Sequence, residues 1–294
     1  KIKLLVTGVA GYIGSTFTYE ALKKGHEIIG IDNFSNSDDA IVAYFLKEYP
    51  NQFEFVELDI QNETRLNSVL RSHEDIDCVF HFAALKSVTE SEKKFDSYWE
   101  NNVEGTESLL EVMKSHRIKN LIFSSSAAIY GEQEKQPIDE KTETKPISNY
   151  ALTKLECEKL IKHYASNGIV DAISLRYFNP VASHQDFLIF EDYTKSSNLM
   201  SVILQAATKK IKSLKIYGND YPTDDGTAER DFIHIDDLIN GHFFAFEKIG
   251  KFENYTEINL GTGVSISVLE MVQTFKKVNR IDFQVDFVAR RKVM

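Results

Sequence analysis

The segment GVAGYIG, residues 8–14, constrains the fold of this chain more than any other stretch. Its glycines, Gly8, Gly11 and Gly14, are spaced as G-x-x-G-x-x-G, directly after an apolar run and directly before a helical pattern. Glycine permits a tight turn and a close approach of the backbone to a ligand, and a helix N-terminus offers N–H groups to an anion. The spacing therefore predicts a phosphate-binding strand–turn–helix unit, although an ordinary turn can also need one or two glycines.

Acidic residues after the next two strands support a dinucleotide. Asp32 ends a second apolar run, Glu27–Asp32, about 20 residues beyond the glycine turn, where a carboxylate can bind ribose hydroxyls. Because this carboxylate would repel a 2′-phosphate, we expect NAD rather than NADP. Asp59 and Ile60 follow a third run, Phe53–Leu58, and can bracket the adenine. A helix N-cap is an equally good interpretation of Asp59.

Apolar runs and helical patterns alternate through the first half of the chain. Further strands are predicted at Cys78–Ala83, Asn120–Ser125 and Ile169–Leu175, and helices at Glu63–His73, Val103–His116 and Asn149–Ser166. Short apolar strands joined by helical crossovers form a parallel sheet that is covered by helices on both faces. The predicted fold class is therefore α/β, a doubly wound parallel sheet of the Rossmann type.

The pattern loosens after residue 180, which predicts a second, smaller α/β lobe. A helix is expected at Met200–Lys212, a short strand at Leu214–Tyr217 and a helix-like stretch at Asp231–Phe246. We predict an NAD-binding Rossmann domain at residues 1–179, with returning segments at about 231–262. Residues 180–230 and 263–294 would form the substrate-binding lobe.

Charge and composition disfavour several classes of function. The formal net charge of -10 argues against general binding to nucleic acid or anionic membranes, but it does not exclude small anionic substrates. The two cysteines, Cys78 and Cys157, lack metal-ligand spacing, so we expect no metal site and a reducing, cytoplasmic location. No apolar run approaches the roughly 20 residues of a membrane helix. Because the first residues already look strand-like, we also expect no signal peptide.

A serine after a strand and a Tyr-x-x-x-Lys pair on a helix form a candidate catalytic set. Ser124 and Ser126 stand at the end of the fifth strand, at the edge where doubly wound sheets bind ligands. Tyr150 and Lys154 are four residues apart and therefore share one face of a helix. Each feature alone has an ordinary interpretation, a serine-rich turn or a surface helix pair. Together with the glycine turn they form a far rarer combination, which points to Tyr150 as a base.

The chain resembles the extended short-chain dehydrogenases/reductases, and among them the UDP-glucose (UDP-galactose) 4-epimerases. The resemblance rests on TGVAGYIGS, IDNFSNS, FAALKSV, NNVEGT, FSSSAAIYG, the Tyr150/Lys154 pair, RYFNPVASH, NLM, LKIYGNDYPTDDGTAERDFIHIDDLINGH and NLGTG. Of these, DGT…RDFIH and NLM are more specific to the epimerases than the glycine motif is. The resemblance implies interconversion of UDP-glucose and UDP-galactose with bound NAD. It also implies a homodimer formed through Val103–His116 and Asn149–Ser166.

The resemblance implies a role for each matching position. The catalytic residues would be Ser126, Tyr150 and Lys154. NAD would be surrounded by Gly8, Gly11, Tyr12, Ile13, Gly14, Asp32, Asn33, Phe34, Ser35, Asn36, Ser37, Asp59, Ile60, Phe82, Ala83, Ala84, Leu85, Lys86, Asn101, Ser124, Tyr150, Lys154 and Phe178. The UDP-sugar would be held by Lys86, Ser126, Tyr150, Asn179, Asn198, Leu199, Arg230 and Arg291.

The chemistry requires an activated tyrosine. A free tyrosine has a pKa of about 10 and is a poor base at pH 7. The Lys154 ammonium and the positive nicotinamide would favour phenolate, and a pKa of about 7 takes roughly 4 kcal/mol of stabilisation. Tyr150 would then accept the proton of the sugar 4-hydroxyl while the C4 hydride passes to NAD, and Ser126 would hydrogen-bond the same oxygen. The 4-keto sugar would rotate and take the hydride back on its other face.

Several alternatives stay open in the sequence. Arg230 fits a diphosphate clamp, although an ion pair with Asp225 or Glu229 fits equally well. A dehydratase is disfavoured because Ala127 and Ala128 stand where its acid and base would be. A UDP-N-acetylhexosamine 4-epimerase is an alternative, because the volume of the sugar pocket decides whether an N-acetyl group is accepted and the sequence does not give that volume. The family usually continues well beyond the paired arginines, so we expect a truncated substrate lobe, and an impaired or non-catalytic NAD-binding paralogue is a further alternative.

Overall fold

The computed structural model describes residues 2–73, 75–186, 192–194 and 196–291. Its strands are β1 (Lys3–Thr7), β2 (Glu27–Asp32), β3 (Phe53–Glu57), β4 (Cys78–His81), β5 (Asn120–Ser126), β6 (Asp171–Tyr177), β7 (Asn179–Val181), β8 (Ser213–Tyr217), β9 (Glu229–Arg230), β10 (Phe232–His234), β11 (Tyr255–Leu260), β12 (Ile266–Ser267) and β13 (Gln284–Val288). Its α-helices are α1 (Tyr12–Lys23), α2 (Ala40–Glu48), α3 (Glu63–Arg71), α4 (Val88–Ser91), α5 (Phe95–Tyr98), α6 (Gly105–His116), α7 (Asn149–Ser166), α8 (Leu199–Ala207), α9 (Ile235–Lys248) and α10 (Val268–Asn279). A π-helix (Trp99–Glu104) precedes α6, and a 3-10 turn (Ala127–Tyr130) follows β5. None of the helices in the described ranges is long and apolar enough to cross a membrane.

The chain divides into two compact units. The first comprises Lys1–Tyr177 and Asp237–Leu260, and the second comprises Phe178–Asp236 and Gly261–Met294. The first boundary falls after Tyr177 and not after Asn179, because β7 pairs in parallel with β10 of the second unit. That the first unit binds NAD and the second binds the substrate stays a prediction.

The first unit is built on a seven-stranded parallel sheet in the order β11-β6-β5-β4-β1-β2-β3. β1 lies between β4 and β2, with Thr7 in register with His81 on one side and Ile31 on the other. The chain order reverses at β1, and ligands of doubly wound sheets bind beyond the carboxyl ends of the strands at such a reversal. This topology confirms the predicted doubly wound α/β fold.

Apolar side chains cover both faces of the sheet. Along β4, fully buried Val79 joins the cluster formed with Leu109 of α6 and Ile161 of α7. The next residue, Phe80, faces the opposite side, where its ring stacks on that of Phe17 in α1 with centroids 4.1 Å apart. Successive residues of a strand point to opposite faces. Burial of both faces therefore explains why the central strands have continuous apolar runs instead of alternation.

The described residues of the second unit form three two-stranded sheets, β7–β10, β8–β13 and β9–β12. Its core joins Ile203 of α8, Leu214 and Ile216 of β8, and Val272 of α10. Leu214 and Ile216 are both buried because they are two residues apart on one strand and therefore share a face. The helix and strands that surround this core position the polar turns of the unit.

Some elements differ from the sequence expectations. The helix expected at Met200–Lys212 is α8, which ends at Ala207 because Thr208 is its C-cap and Lys209 adopts a φ of +60°, outside the helical range. The helix expected at Val103–His116 begins as a π-helix. Asp59 is not a helix N-cap, since Asn62 caps α3. The segments α2, α10 and β13 have no counterpart in the predicted elements.

Candidate active site

The glycine turn joins β1 to α1, and two of its glycines have no room for a side chain. Gly8 has a φ of +72°, and a Cβ there would lie 2.6 Å from the backbone nitrogen of Ala83. A Cβ on Gly14 would lie 2.1 Å from the carbonyl oxygen of Gly8. The turn and the start of α1 contain Gly8, Gly11, Tyr12, Ile13 and Gly14. This tight backbone cradle at a helix N-terminus fits a pyrophosphate.

Asp32 ends β2 and fastens the loop that follows it. This loop contains Asn33, Phe34, Ser35, Asn36 and Ser37. The Asp32 carboxylate accepts hydrogen bonds from the Ala10 N–H and the Phe34 N–H, both at 2.9 Å, and from the Ser37 hydroxyl at 3.1 Å. The Asn33 amide donates to the Asp59 carboxylate at 3.0 Å, and Ile60 follows directly. These contacts bring the residues predicted for the adenosine side next to the glycine turn.

The loop after β4 is held by an asparagine that is not one of the predicted site residues. This loop contains Phe82, Ala83, Ala84, Leu85 and Lys86. In the π-helix, Asn102 accepts a hydrogen bond from the Leu85 N–H at 2.8 Å and donates to the Leu85 carbonyl at 3.0 Å. It also donates to Thr153 of α7 at 3.1 Å and accepts from the Asn101 amide at 2.9 Å. The signal for Asn102 is two adjacent asparagines in a helical pattern, where asparagine is a poor helix former.

The candidate catalytic residues Ser126, Tyr150 and Lys154 meet beside Ser124, where β5 approaches α7. The Lys154 ammonium donates to the carbonyl oxygen of Ser124 at 2.7 Å and lies 4.9 Å from the centre of the Phe123 ring. Lys154 is only 3% exposed, so the structure places a charged group inside the protein at the end of a strand. Ser126 lies close enough to Tyr150 to lower the pKa of its phenol. The set predicted from sequence is therefore assembled in one place.

The backbone of Tyr150 is fixed on two sides. Its N–H donates to the Ser91 hydroxyl at 3.0 Å, and its carbonyl accepts from the Thr153 hydroxyl at 2.8 Å. Ser148 caps the helix by accepting a hydrogen bond from the Ala151 N–H at 3.1 Å. A serine before the first helical turn is a preferred N-cap, which explains why α7 begins at the predicted residue.

The pKa values differ from the expectation that Lys154 makes Tyr150 a phenolate. Burial raises the pKa of Tyr150 to about 12, against a smaller lowering by the hydrogen bond with Ser126. Burial also lowers the pKa of Lys154 to about 8, because the apolar surroundings disfavour the ammonium. The side chains of the polypeptide alone therefore keep Tyr150 protonated at neutral pH. Deprotonation of this phenol near pH 7 requires a positive charge that the polypeptide itself does not supply.

A buried ion pair ties α7 to the sheet next to this set. Glu158, one turn after Lys154, accepts hydrogen bonds from Arg176 of β6 at 3.0 and 2.7 Å and a further one from the Ser125 hydroxyl at 2.5 Å. Glu158 and Arg176 are 3% and 4% exposed. Since Ser125 lies between Ser124 and Ser126, this pair fixes the strand end that carries both serines against the helix that carries Tyr150.

The remaining predicted ligand-binding residues belong to the second unit. These are Phe178, Asn179, Asn198, Leu199, Arg230 and Arg291. The Asn179 N–H donates to the carbonyl of Asp231 at 3.0 Å, and Asn198 directly precedes α8. Arg230 donates to the carbonyl of Glu229 at 2.7 Å, whereas the Asp225 carboxylate accepts from the Thr227 N–H at 2.8 Å. The Arg291 guanidinium lies 4.2 Å from the centre of the Tyr217 ring.

Comparisons with known proteins agree with this geometry. The model of the NAD dependent epimerase/dehydratase family matches residues 4–261. A UDP-glucose 4-epimerase of Bacillus subtilis is 41% identical over 291 residues, which cover 98% of this chain and 85% of that protein.

Solved structures show the same similarity. The crystal structure of a UDP-glucose-4-epimerase from Stenotrophomonas maltophila, with bound NAD and formylated UDP-arabinopyranose, superposes with a TM-score of 0.94 and 38% identity, covering 99% of this chain and 87% of that one. A UDP-Glc/GlcNAc 4-epimerase from Campylobacter jejuni superposes with a TM-score of 0.86 and 32% identity, covering 99% of this chain and 88% of that one. The protein is thus a member of the NAD dependent epimerase/dehydratase family.

Proposed function

We propose that this protein is a UDP-sugar 4-epimerase that interconverts UDP-glucose and UDP-galactose with NAD as a bound cofactor. The observation that carries the proposal is the assembly of Ser126, Tyr150 and Lys154 at the carboxyl end of β5, in a chain 41% identical to a UDP-glucose 4-epimerase. A reaction that removes and returns hydrogen at a secondary alcohol needs a base and a hydride acceptor. Tyr150 is the base in this proposal.

The residues of the first unit fit NAD. The close approach of Gly8 and Gly14 to neighbouring backbone keeps the turn free of side chains, so that a pyrophosphate can reach the N-terminus of α1. Asp32 stands at the end of β2, where a carboxylate suits ribose hydroxyls and disfavours the 2′-phosphate of NADP. When bound, NAD supplies the hydride acceptor and donor together with a positive charge.

Tyr150 accepts the proton of the sugar 4-hydroxyl and later returns it. With a pKa of about 12 in the polypeptide, forming its phenolate at pH 7 requires about 7 kcal/mol of stabilisation. This value already includes the presence of Lys154, so the stabilisation has to come from the positive charge that NAD supplies when bound. Ser126 contributes a hydrogen bond that already lowers the pKa of the phenol, and the same hydroxyl orients the reacting oxygen.

The second unit is proposed to hold the nucleotide part of the substrate. Arg230 and Arg291 bind the diphosphate, because a guanidinium pairs with phosphate oxygens through two parallel hydrogen bonds. Asn179, Asn198 and Leu199 complete the UDP-sugar contacts. Lys86 of the first unit is assigned to substrate as well as to NAD.

An assay of UDP-galactose conversion to UDP-glucose by the purified protein, without added NAD, tests the proposal. We expect conversion, and we expect Tyr150→Phe to lower kcat by at least about 100-fold because it removes the general base. Tyr255→Phe is a matched control, since Tyr255 donates to Ser174 at 3.0 Å on the neighbouring strands of the same sheet. No conversion by a protein shown to carry NAD, or equal losses in both variants, would refute the proposal.

A UDP-N-acetylhexosamine 4-epimerase is the second candidate. The Campylobacter jejuni structure, 32% identical, is described as a UDP-Glc/GlcNAc 4-epimerase, so both sugars occur among similar proteins. Measuring kcat/KM for UDP-galactose and for UDP-N-acetylgalactosamine side by side separates the candidates. A higher value for the N-acetylated sugar would reassign the substrate.

We further propose a homodimer formed through α6 and α7. These helices pack side by side in the first unit, with Tyr164 of α7 donating a hydrogen bond to Glu111 of α6. Light scattering at micromolar concentration measures the mass. A mass of 33.6 kDa for the single chain at all concentrations would contradict the dimer.

A further inference from the structure

A buried histidine connects the two loops assigned to NAD. His81 ends β4 and is in register with Thr7 at the end of β1, directly before the glycine turn. The His81 Nδ1 atom lies 2.7 Å from the Thr7 hydroxyl, and its Nε2 atom lies 2.9 Å from the Thr106 hydroxyl of α6. Thr7, His81 and Thr106 are at most 1% exposed. The contacts are therefore shielded from water.

The partners of Thr106 determine which nitrogen of His81 carries the proton. The Thr106 hydroxyl donates to the carbonyl of Asn102 at 2.6 Å, so toward His81 it acts as acceptor and Nε2 acts as donor. In a neutral ring Nδ1 is then an acceptor, and the Thr7 hydroxyl donates to it. The Thr7 oxygen is left to accept the Ala83 N–H, which lies 3.3 Å away. Each hydrogen bond in the series that runs from Ala83 through Thr7, His81 and Thr106 to Asn102 therefore has a defined donor and acceptor.

The ring has to be neutral for this arrangement. Burial lowers the pKa of His81 to about 3, and the nearby Lys154 charge adds to the lowering. A protonated ring would carry a hydrogen on Nδ1, so the Thr7 hydroxyl could no longer donate to that nitrogen. The neutral state therefore persists across the range of pH in which an enzyme of this class works.

The Thr7 hydrogen bond acts where the two loops touch. Ala83 follows β4, and its backbone nitrogen lies 2.6 Å from the position of a Cβ on Gly8. We propose that His81, as its Nε2–H tautomer, is a positioning residue that holds the loop of residues 82–86 against the glycine turn through Thr7. Its role is to set the separation of two backbone segments that grip the cofactor. This inference rests on the proposed binding of NAD.

The tautomer can be measured without activity. The ¹⁵N chemical shifts of the histidine ring nitrogens distinguish Nε2–H, Nδ1–H and doubly protonated rings. The chain has eight histidines, and loss of one set of signals in His81→Phe assigns the residue. We expect an Nε2–H ring that does not titrate between pH 5 and pH 8. An Nδ1–H ring, or one that protonates in this range, overturns the inference whether or not NAD binds.

The consequence for NAD is measured by calorimetry on protein stripped of nucleotide. Thr7→Val and His81→Phe are each expected to weaken NAD binding at least fivefold, while UDP binding changes less than twofold. Thr18→Val is the matched control, because Thr18 is fully buried in α1 and its hydroxyl has no hydrogen-bond partner among the residues that the structure describes. We expect it to change NAD binding less than twofold. The combined Thr7→Val/His81→Phe variant should lose less than the product of the single losses, since both act on one contact.

The outcomes separate this inference from the proposed function. If the unsubstituted protein binds no NAD, the proposed function fails and the tautomer still tests the hydrogen-bond chain. If it binds NAD and His81→Phe or Thr7→Val binds it equally well, the positioning role is wrong. Should His81→Phe fail to fold, Thr7→Val and its rescue by Thr7→Ser decide the question, because serine keeps the hydroxyl.

Discussion

The buried Glu158–Arg176 pair gives the sharpest test of how α7 is held. Removing Glu158 takes away the nearer carboxylate of the buried Arg176 and leaves Glu257 at 3.9 Å, and breaking a buried pair costs about 3–5 kcal/mol. We therefore expect Glu158→Met to lower the free energy of unfolding by about that amount. Removing both charges avoids the penalty. Glu158→Met/Arg176→Met should then recover most of the loss, short by about 1–2 kcal/mol because Ser125 also loses its partner.

Urea denaturation followed by tryptophan fluorescence measures this effect. The single tryptophan, Trp99, lies in the π-helix of the first unit and so reports on the unit that contains the pair. Glu156→Gln is the control, because the Glu156–Lys159 pair on the same helix is solvent-exposed and should contribute no more than about 1 kcal/mol. The reasoning is refuted if Glu158→Met is as mild as this control, or if the double variant is no more stable than the single one.

Three further predictions follow from individual side chains. Burial lowers the pKa of Lys154 from 10.5 to about 8, so the folded protein binds this proton less tightly than the unfolded chain does. The free energy of unfolding therefore rises with pH between about 8 and 10.5. Lys154→Met should be more stable than the unsubstituted protein by about 2–3 kcal/mol at pH 7, with a smaller gain at pH 10, and should lose activity. Thermal unfolding at the two pH values checks this, and equal stabilities at both would contradict it. Gly14→Ala places a Cβ 2.1 Å from the Gly8 carbonyl and should weaken NAD binding at least 10-fold by calorimetry; an unchanged affinity would show that the turn does not grip the cofactor. Asn102→Leu removes the side chain that hydrogen-bonds both the N–H and the carbonyl of Leu85, and should lower the free energy of unfolding in urea by about 2–4 kcal/mol. A loss below about 1 kcal/mol would contradict the role of Asn102 in holding this loop.

Local features of the sequence predict much of the first unit. The central strands are continuous apolar runs because both of their faces are buried, and such runs are visible without knowledge of their neighbours. The helix α7 has the predicted bounds, Asn149–Ser166, since Ser148 supplies a cap within the same segment. The set of Ser126, Tyr150 and Lys154 is likewise predicted from spacing and from resemblance, and the structure brings its members together.

Other properties depend on partners that are distant in sequence. The roles of Asn102 and His81 arise from contacts with residues up to 74 positions away, so neither role follows from a local pattern, although the adjacent asparagines mark the position of Asn102. The direction in which the pKa of Tyr150 shifts depends on how completely the phenol is desolvated, and sequence spacing does not reveal this. Sequence spacing does not explain the adjacent asparagines of the π-helix either, because the reason for Asn102 is its hydrogen bond with Leu85 in the loop after β4.

The fate of the hydrogen on C4 of the sugar tests the central claim most directly. UDP-galactose carrying deuterium at C4 is converted by the protein in ordinary water, and the UDP-glucose formed is analysed by mass spectrometry and NMR. Hydride removal and return within one closed site, with Tyr150 handling only the hydroxyl proton, predicts that deuterium is retained at C4. Loss of the deuterium to solvent would contradict the account, because it would mean that C4 itself is deprotonated and reprotonated.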